Sequence, residues 1–220
     1  IKSIVYGGGP MYIADIELAL EVMGPKFIQI YGQGEVPMTI TSLRREVIAD
    51  TTAPRWRERL GSVGTAQACV EVRVVDEALK DLPPNTPGEI MVRSRAVMQG
   101  YWRNESATSE ALIDGWLKTG DIGHLGPDGF LTLTDRSKDV IISGGTNIYP
   151  REVEEVLIRH PAVSEAAVIG QPNPEWGEEV VAFVVPMRGV PCDVNALEAW
   201  CRNEMASFKK PKRYEFCEEL

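Results

Sequence analysis

Glycine clusters follow two short apolar runs near the start of the 220-residue chain. Gly7, Gly8, Gly9 and Pro10 come directly after the first run, and the segment GQGE at residues 32–35 follows the second. Glycine after a strand lets a ligand approach the backbone closely. The predicted order of strand, loop, helix and strand is one in which α/β sheets bind ligands. A plain tight turn explains the same glycines equally well, so both interpretations stay open at this point.

A second group of polar residues lies in the centre of the chain. Asp121 follows a glycine in the sequence TGD, which predicts a turn, and GPDG at residues 126–129 predicts a β-hairpin. The charged segment DRSKD at residues 135–139 then precedes Gly144 and Gly145. A polar linker would account for these turns, but a charged joint beside two glycines is also what a hinge between rigid bodies uses.

Three segments of this region resemble the signature motifs of one family. GEIMVRSRAVMQGYW, GWLKTGD and DRSKDVIISGGTNIYPREVE are similar, in the expected order, to motifs of the adenylate-forming superfamily. That superfamily includes acyl-CoA synthetases, peptide-synthetase adenylation domains and luciferases, and the resemblance covers nearly the whole chain. It implies an enzyme that uses ATP, magnesium and CoA to activate a small carboxylic acid.

The resemblance assigns the nucleotide-binding residues by motif. The family's Tyr-Gly-x-Thr-Glu motif matches Tyr31, Gly32, Gln33, Gly34 and Glu35. Glu35 is implied to be catalytic and to help hold magnesium, which prefers carboxylate oxygen. Gly34 stands where the family has threonine, so the phosphate contact of that hydroxyl would fall to a backbone N–H or to Thr39. The other residues implied at the nucleotide are Asp121 on the ribose, Arg136 on the ribose and phosphates, and Gly7, Gly8, Gly9 and Pro10 beside adenine and the acyl pocket.

The resemblance also implies a hinge at Lys138 and a CoA site beyond it. The expected CoA-binding residues are Ser143, Gly144 and Gly145 along the pantetheine tunnel, and Trp176, Phe208 and Lys210 at the CoA nucleotide. Core packing of Trp176 stays open as an alternative to the ligand role. Tyr101 and Trp102 are interpreted as mainly structural, since aromatic side chains are more often core than contact.

Composition narrows the class of protein. Hydrophobic residues make up 44% of the chain and charged residues 25%, as in ordinary globular proteins. The net charge of −9 argues against nucleic acid as a partner, and no apolar run reaches the ~18 residues that a membrane span needs. The four cysteines show no metal-like spacing, so we expect reduced thiols in a cytoplasmic protein. A homodimer is left open.

The pattern of elements predicts the class α/β and α+β in two domains. The resemblance implies that residues 1–135 are the end of a large AMP-binding domain, with an α/β sheet unit at 1–40 and a small β-barrel subdomain at 41–135, where short strands separated by turns are typical of a barrel. Residues 136–220 would be the hinge and most of a compact α+β C-terminal domain. In that domain Pro150 is predicted to open one helix and Asp193 to cap another.

The predicted function is that of an acid:CoA ligase, with fatty acids slightly favoured over aryl acids. Loading of a carrier protein, or a nucleotide- or CoA-binding module without catalysis, are the alternatives. The family's phosphate loop ending in Pro-Lys-Gly and its last motif with the catalytic lysine do not occur in the 220 residues. We therefore expect the chain to be a C-terminal piece of a longer protein and to be inactive alone.

Overall fold

The chain folds into two compact units, residues 1–134 and residues 135–220, in a computed structural model that describes residues 1–9 and 11–220. Each unit has buried hydrophobic residues of its own. The mixed class predicted from the sequence is confirmed, because several sheets and a few short helices make up both units. Within the described residues, no helix has the length and apolar character to cross a membrane.

The first unit begins with a four-stranded sheet that carries the glycine-rich segments. Its strands, in spatial order, are β1 (Ile4–Tyr6), β2 (Phe27–Gln33), β3 (Val36–Leu43) and β4 (Thr65–Ala66). β1 and β2 run parallel because α1 (Ile13–Met23) crosses over between them, and the remaining pairs are antiparallel. Two short helices, α2 (Arg45–Ala49) and α3 (Trp56–Leu60), contribute Ile48 and Leu60 to the core beside α1.

A second, antiparallel sheet completes the first unit. Its elements are β5 (Val70–Val75), β6 (Gly88–Ser94), α4 (Glu105–Ala111), β7 (Leu112–Ile113), β8 (Trp116–Leu125) and β9 (Leu131–Arg136). The order is β5-β6-β8-β7, and β9 also pairs with β8. β5 forms one edge, so the predicted small barrel is an open, curled half-barrel. Its Ile90 and Leu117 share a core with Val36 and Ile40 of β3, which couples the two sheets.

Two local predictions in the first unit can be compared with the structure. The hairpin predicted at residues 126–129 is confirmed, since Gly126 N donates to Phe130 O over 2.8 Å and Gly129 has a φ of +80°. The boundary expected at residue 40 falls inside β3, because this strand continues to Leu43 in the first sheet.

The second unit is a five-stranded sheet with two helices. Its elements are β10 (Ile141–Ser143), β11 (Thr146–Ile148), α5 (Pro150–Ile158), β12 (Val163–Asn173), β13 (Gly177–Pro186), α6 (Val194–Glu204) and β14 (Arg213–Phe216). The order is β11-β10-β13-β12, with β14 parallel to β13. The helix starts predicted at Pro150 and Asp193 are confirmed: Pro150 occupies the first turn of α5, and the Asp193 carboxylate accepts the Ala196 N–H over 3.0 Å.

Candidate functional site

Asp121 lies within strand β8, so the turn predicted at TGD is wrong. Lys118 pairs with Met91 and Ile122 pairs with Glu89, which leaves residues 119–121 of β8 opposite Ile90 alone. This excess of residues is a β-bulge, and Gly120 permits it with a φ of +74°. The bulge interrupts the regular ladder and aims the Asp121 side chain toward the first sheet.

Side chains satisfy the backbone groups that the bulge removes from the ladder. Gly120 N donates to Glu89 Oε1 over 2.6 Å, and Thr119 Oγ1 donates to Ile90 O over 2.8 Å. Asp121 N donates in turn to Thr119 Oγ1 over 3.1 Å. Burial raises the pKa of Glu89, while the N–H of Gly120 acts in the opposite direction. The bulge is therefore a hydrogen-bonded structure rather than a loose segment.

The carboxylate of Asp121 is the buried acid of the first unit, with 8% of the residue exposed. Its Oδ2 accepts hydrogen bonds from Tyr31 Oη at 2.6 Å and from Gln33 Nε2 at 2.7 Å. Burial, followed by the negative charge of Asp121, raises the pKa of Tyr31, so the phenol keeps its proton and acts as a donor. Three of the predicted nucleotide-binding residues are thus brought together, although more than 85 residues separate Asp121 from the other two.

The predicted glycines differ in what their missing side chains would meet. A Cβ on Gly7 would lie 2.3 Å from Ile30 O, and a Cβ on Gly32 would lie 2.3 Å from Met38 N. Gly8 has a φ of +85°, whereas Gly9 and Gly34 have open space around them. Packing within the chain thus explains Gly7 and Gly32, and a positive φ explains Gly8. Pro10 lies outside the described residues.

Glu35 occupies the turn between β2 and β3, where Gln33 pairs with Val36. Tyr101 Oη donates to Glu35 Oε1 over 2.6 Å, and this hydrogen bond raises the pKa of Tyr101. Tyr101 and Trp102 do not pack in the core, as the interpretation of both as mainly structural assumed, because they are 39% and 86% exposed, and Tyr101 contacts Glu35. The turn brings Glu35 to the surface beside an aromatic donor.

One carboxylate is a sufficient protein ligand for magnesium bound to a nucleotide. No group of three or more His, Cys, Asp or Glu residues that could hold a metal occurs within residues 1–9 and 11–220. Mg²⁺ commonly takes only one or two carboxylates and completes its shell with phosphate oxygens and water. Glu35 fits that pattern. Thr39 Oγ1, the side-chain alternative for the contact of the family's threonine hydroxyl, is buried and has no hydrogen-bond partner within the described residues.

In the second unit, the predicted tunnel residues form a tight hairpin beneath Trp176. Gly144 and Gly145 have φ angles of +56° and +76°, which only glycine adopts readily, and they join Ser143 to Thr146. Gly144 N donates to Trp176 O over 2.8 Å, and a Cβ on Gly144 would lie 2.8 Å from Trp176 Cε3. Trp176 is nevertheless 50% exposed, which rules out the alternative that it packs in the core.

The segment before β14 carries the other predicted CoA residues. Phe208 is about half exposed, and Lys209 Nζ lies 5.8 Å from the centroid of its ring. Lys210 forms an ion pair with Glu198 of α6, and its side chain is only 15% exposed. That hydrogen bond and the lysine charge lower the pKa of Glu198. Lys210 is therefore already engaged with a carboxylate, which weakens the expectation that it serves CoA phosphates.

The charged joint forms a turn rather than an open linker. Asp139 N donates to Arg136 O over 3.0 Å, and Lys138 is exposed within this turn. Asp135 accepts the backbone N–H of Arg136 at 2.8 Å and that of Arg151, near the start of α5, at 3.1 Å. Burial raises the pKa of Asp135, and these two N–H groups act against that rise.

Comparison with known proteins identifies the family. The profile of the AMP-binding enzyme family matches residues 1–102, and the profile of the AMP-binding enzyme C-terminal domain matches residues 152–220. The chain belongs to the AMP-binding enzyme family. The resemblance to adenylate-forming enzymes drawn from its motifs is thereby confirmed.

Relatives in the AMP-binding family match the whole of this chain. It is 40% identical over 220 residues to a feruloyl-CoA synthase from an Amycolatopsis species, covering 100% of this chain and 43% of the relative. An amide bond synthetase from Marinactinospora thermotolerans superposes with a TM-score of 0.91 at 40% identity, covering 100% and 43%. An o-succinylbenzoate CoA synthetase from Bacillus subtilis, solved with its acyl-adenylate intermediate, has a TM-score of 0.87 at 37% identity, covering 100% and 43%. The chain thus spans less than half the length of these relatives.

Sequence reasoning missed three side chains of the site. Thr119 and Glu89 support the bulge at Asp121, and Tyr101 contacts Glu35. Thr119 lies inside the TGD motif, which is the signal that could have pointed to it. Glu89 and Tyr101 lie 31 and 66 residues from their partners, and no local pattern in the sequence relates them.

Proposed function

We propose that this chain is part of an ATP-dependent acid:CoA ligase, which adenylates a carboxylic acid and then transfers the acyl group to CoA. The observation that carries the proposal is the buried carboxylate of Asp121, held by Tyr31 and Gln33 of the Tyr-Gly-x-Thr-Glu segment. A fixed, desolvated acid beside a glycine-rich segment is suited to bind neutral hydroxyl groups of a nucleotide. Membership of the AMP-binding family supports the same class of chemistry.

In the first half-reaction, a carboxylate oxygen of the acid forms a bond to the α-phosphorus of ATP, and the bond to pyrophosphate breaks. Asp121 accepts hydrogen bonds from the ribose hydroxyls, and the planar guanidinium of Arg136 binds ribose and phosphate oxygens. Gly9, with open space around it, leaves room for adenine. Positioning and electrostatic stabilisation would supply most of the rate in such a displacement at phosphorus.

Glu35 is the residue that would hold the magnesium ion of MgATP. The hydrogen bond from Tyr101 fixes one oxygen of its carboxylate and so orients the group. When bound, the ion would neutralise negative charge on the phosphates. Gly34 supplies no hydroxyl, so the N–H groups of the turn are proposed to meet the α-phosphate in place of the family's threonine.

In the second half-reaction, the thiol sulfur of CoA forms a bond to the acyl carbon, the bond from that carbon to the phosphate oxygen of AMP breaks, and AMP leaves while the thiol proton passes to solvent. Ser143, Gly144 and Gly145 would line the path of pantetheine, with no side chain at Gly145 to obstruct it. The exposed ring faces of Trp176 and Phe208 would stack on the CoA nucleotide, a contact worth roughly 1–3 kcal/mol per base in nucleic-acid systems.

The acid is proposed to be apolar. A fatty acid is slightly favoured over an aryl acid, because the residues around Met38 are apolar and the GGGP segment carries no charge. Met38 is largely exposed in the structure, where an acyl chain could cover it. The feruloyl- and o-succinylbenzoyl-CoA synthetases among the relatives act, by their names, on acids with an aromatic ring, so aryl acids form the competing class.

Transfer to an amine is a second candidate for the last step. The amide bond synthetase superposes as well as any CoA ligase described above, with a TM-score of 0.91. Adenylation would be the same, but the acceptor would be a nitrogen nucleophile in place of the CoA thiol. The exposed Trp176 ring over the Gly144 turn favours CoA, because it offers an aromatic face on which the CoA base would stack.

Two assays on the complete polypeptide that carries these residues separate the possibilities. ATP–pyrophosphate exchange without CoA measures adenylation, and product analysis with CoA or with an amine measures transfer, each across a panel of fatty and aryl acids. We expect exchange with an apolar acid and an acyl-CoA product. Absence of exchange with every acid would refute adenylation, and amide formation without thioester would favour the second candidate.

Residues 1–220 alone are proposed to form no acyl-CoA. Nothing identified in this chain grips the β- and γ-phosphates, because the Pro-Lys-Gly loop does not occur in it. The purified chain is incubated with MgATP, CoA and the acid preferred by the complete polypeptide. Acyl-CoA above the protein-free control would show that the catalytic groups lie elsewhere than proposed.

A further inference from the structure

The side-chain amide of Gln33 links the two sheets of the first unit at the candidate ribose site. Its Nε2 donates to Asp121 Oδ2 over 2.7 Å and to Thr119 O over 2.9 Å. The carbonyl oxygen of Thr119 and the ionised carboxylate of Asp121 can only accept hydrogen bonds. The NH₂ end of the Gln33 amide must therefore face them, and each of its two N–H groups donates one hydrogen bond. Gln33 therefore fixes a carboxylate oxygen and a backbone carbonyl of the same bulge at once.

The bulge needs such an external support. Residues 119–121 lie outside the regular pairing of β6 and β8, and Gly120 adds backbone freedom in the middle of the segment. Gln33 is held at the end of β2 by its pairing with Val36, so it is a fixed point on the opposite sheet. Tyr31 holds the same oxygen of Asp121 through its phenol hydroxyl.

We propose that Gln33 is a positioning residue, which holds Asp121 in the place required to bind the ribose of ATP. The inference rests on the proposed function. It also assigns a role to a position that the Tyr-Gly-x-Thr-Glu motif leaves undefined, because Gln33 stands at the x of this motif. The ligand class is a ribonucleoside triphosphate recognised through its 2′- and 3′-hydroxyls.

Discrimination between ribose and deoxyribose tests the inference in the complete polypeptide. The ratio of kcat/KM for ATP to that for 2′-deoxy-ATP and 3′-deoxy-ATP is measured in the pyrophosphate exchange assay. Gln33→Met removes both hydrogen bonds at similar side-chain volume and should lower this ratio about tenfold, the scale of a hydrogen bond to a charged group. Gln67→Met is the matched control, because the Gln67 amide donates elsewhere, to Met38 O over 3.4 Å.

Asp121→Ala, measured in the same assay, separates the positioning role of Gln33 from the ribose-binding role of Asp121. If Asp121→Ala loses the discrimination and Gln33→Met retains that of the unsubstituted protein, Gln33 is not a positioning residue and the inference falls alone. If Asp121→Ala also retains full discrimination, the ribose role of Asp121 itself is refuted. A loss in Gln67→Met equal to that in Gln33→Met would show a general disturbance and would also overturn the inference.

Gln33→Glu gives a second test that keeps the size of the side chain. An ionised carboxylate at this position repels Asp121, whereas a protonated one donates a hydrogen bond to Oδ2. The titratable groups around it are Asp121, Tyr31 and Glu89; Tyr31 stays protonated because its pKa is raised. The KM for ATP, relative to the unsubstituted protein at each pH, should fall by several-fold between about pH 8 and about pH 5.5. A relative KM that is independent of pH would contradict the positioning role.

Discussion

The two units hold their candidate ligand-binding side chains in opposite ways. In the first unit, Asp121 is buried and accepts hydrogen bonds from two side chains of the opposite sheet. In the second unit, Trp176 and Phe208 are about half exposed, and the Trp176 ring rests over Gly144. The first arrangement is complete before a ligand arrives, whereas the second presents apolar surface that a ligand would cover.

The difference agrees with what each proposed ligand part requires. Hydroxyl groups are recognised through directional hydrogen bonds, so their acceptor must be fixed in advance. A base stacks on an aromatic face with far less demand on orientation. Substitutions in the first unit should therefore affect stability and binding together, and those at exposed positions of the second unit should affect binding alone.

The largest effect is expected at the joint between the two units. Lys138→Pro fixes φ near −65° and removes a backbone N–H within the turn that precedes β10. We expect the complete enzyme to keep one half-reaction and to lose the other, as measured by pyrophosphate exchange and by thioester formation from added acyl-adenylate. Lys138→Ala is the control for loss of the side chain. Equal loss of both half-reactions in a folded Lys138→Pro variant would count against a hinge at this position.

Asp121→Ala should produce the next largest effect. The Michaelis constant for ATP should rise tenfold or more, and the free energy of unfolding should fall by about 1–3 kcal/mol, because buried donors on Tyr31 and Gln33 lose their acceptor. Arg136→Ala should raise the Michaelis constant for ATP. It should change the melting temperature little, because Arg136 is exposed. If Asp121→Ala melts at the original temperature, the contrast between the two units is weaker than the structure indicates.

Trp176→Ala should act on CoA alone. The Michaelis constant for CoA should rise about tenfold, which is the effect expected from the loss of one stacking contact. The rate of pyrophosphate exchange and the melting temperature should stay the same. Phe208→Ala should behave alike, since both side chains are about half exposed. Loss of exchange comparable to the loss of ligation would make these residues structural and would remove the distinction drawn above.

The smallest effect is expected from a pair of glycine substitutions. Gly144→Ala places a methyl group 2.8 Å from Trp176 Cε3, whereas Gly145→Ala meets nothing within 4 Å, and both positions have a positive φ. Backbone strain is thus common to both variants, and only Gly144→Ala displaces the ring. The Michaelis constant of Gly144→Ala for CoA should exceed that of Gly145→Ala by a few-fold. Equal constants would show that the position of the Trp176 ring is unimportant for CoA.

Local signals in the sequence predicted local structure well. The GPDG turn, the helix start at Pro150 and the cap at Asp193 each depend on the conformational preference of one or a few residues, and all three are present. The TGD sequence predicts a turn where the structure has a bulge at Gly120, because a glycine before an acid is compatible with either irregularity.

Contacts between distant segments were less accessible to sequence reasoning. The motif resemblance selected Tyr31, Gln33 and Asp121, but it gave no indication that the first two hold the third. The ion pair of Lys210 with Glu198 was missed for the same reason, since it depends on how the last segment packs against α6. Hydrogen bonds between separate elements follow from tertiary packing, which a pattern of residue types does not specify.

The bond between Gln33 and Asp121 joins segments that lie 88 residues apart in the chain. Contacts of such long sequence separation slow folding, because the entropy of closing a long loop is lost before the contact stabilises it. A chain that is still being synthesised or is partly unfolded would contain the glycine segments and the acid but not the assembled candidate ribose site. Nucleotide binding would therefore distinguish fully folded molecules from incomplete ones, and ATP in the cell would raise the population of the native state by mass action.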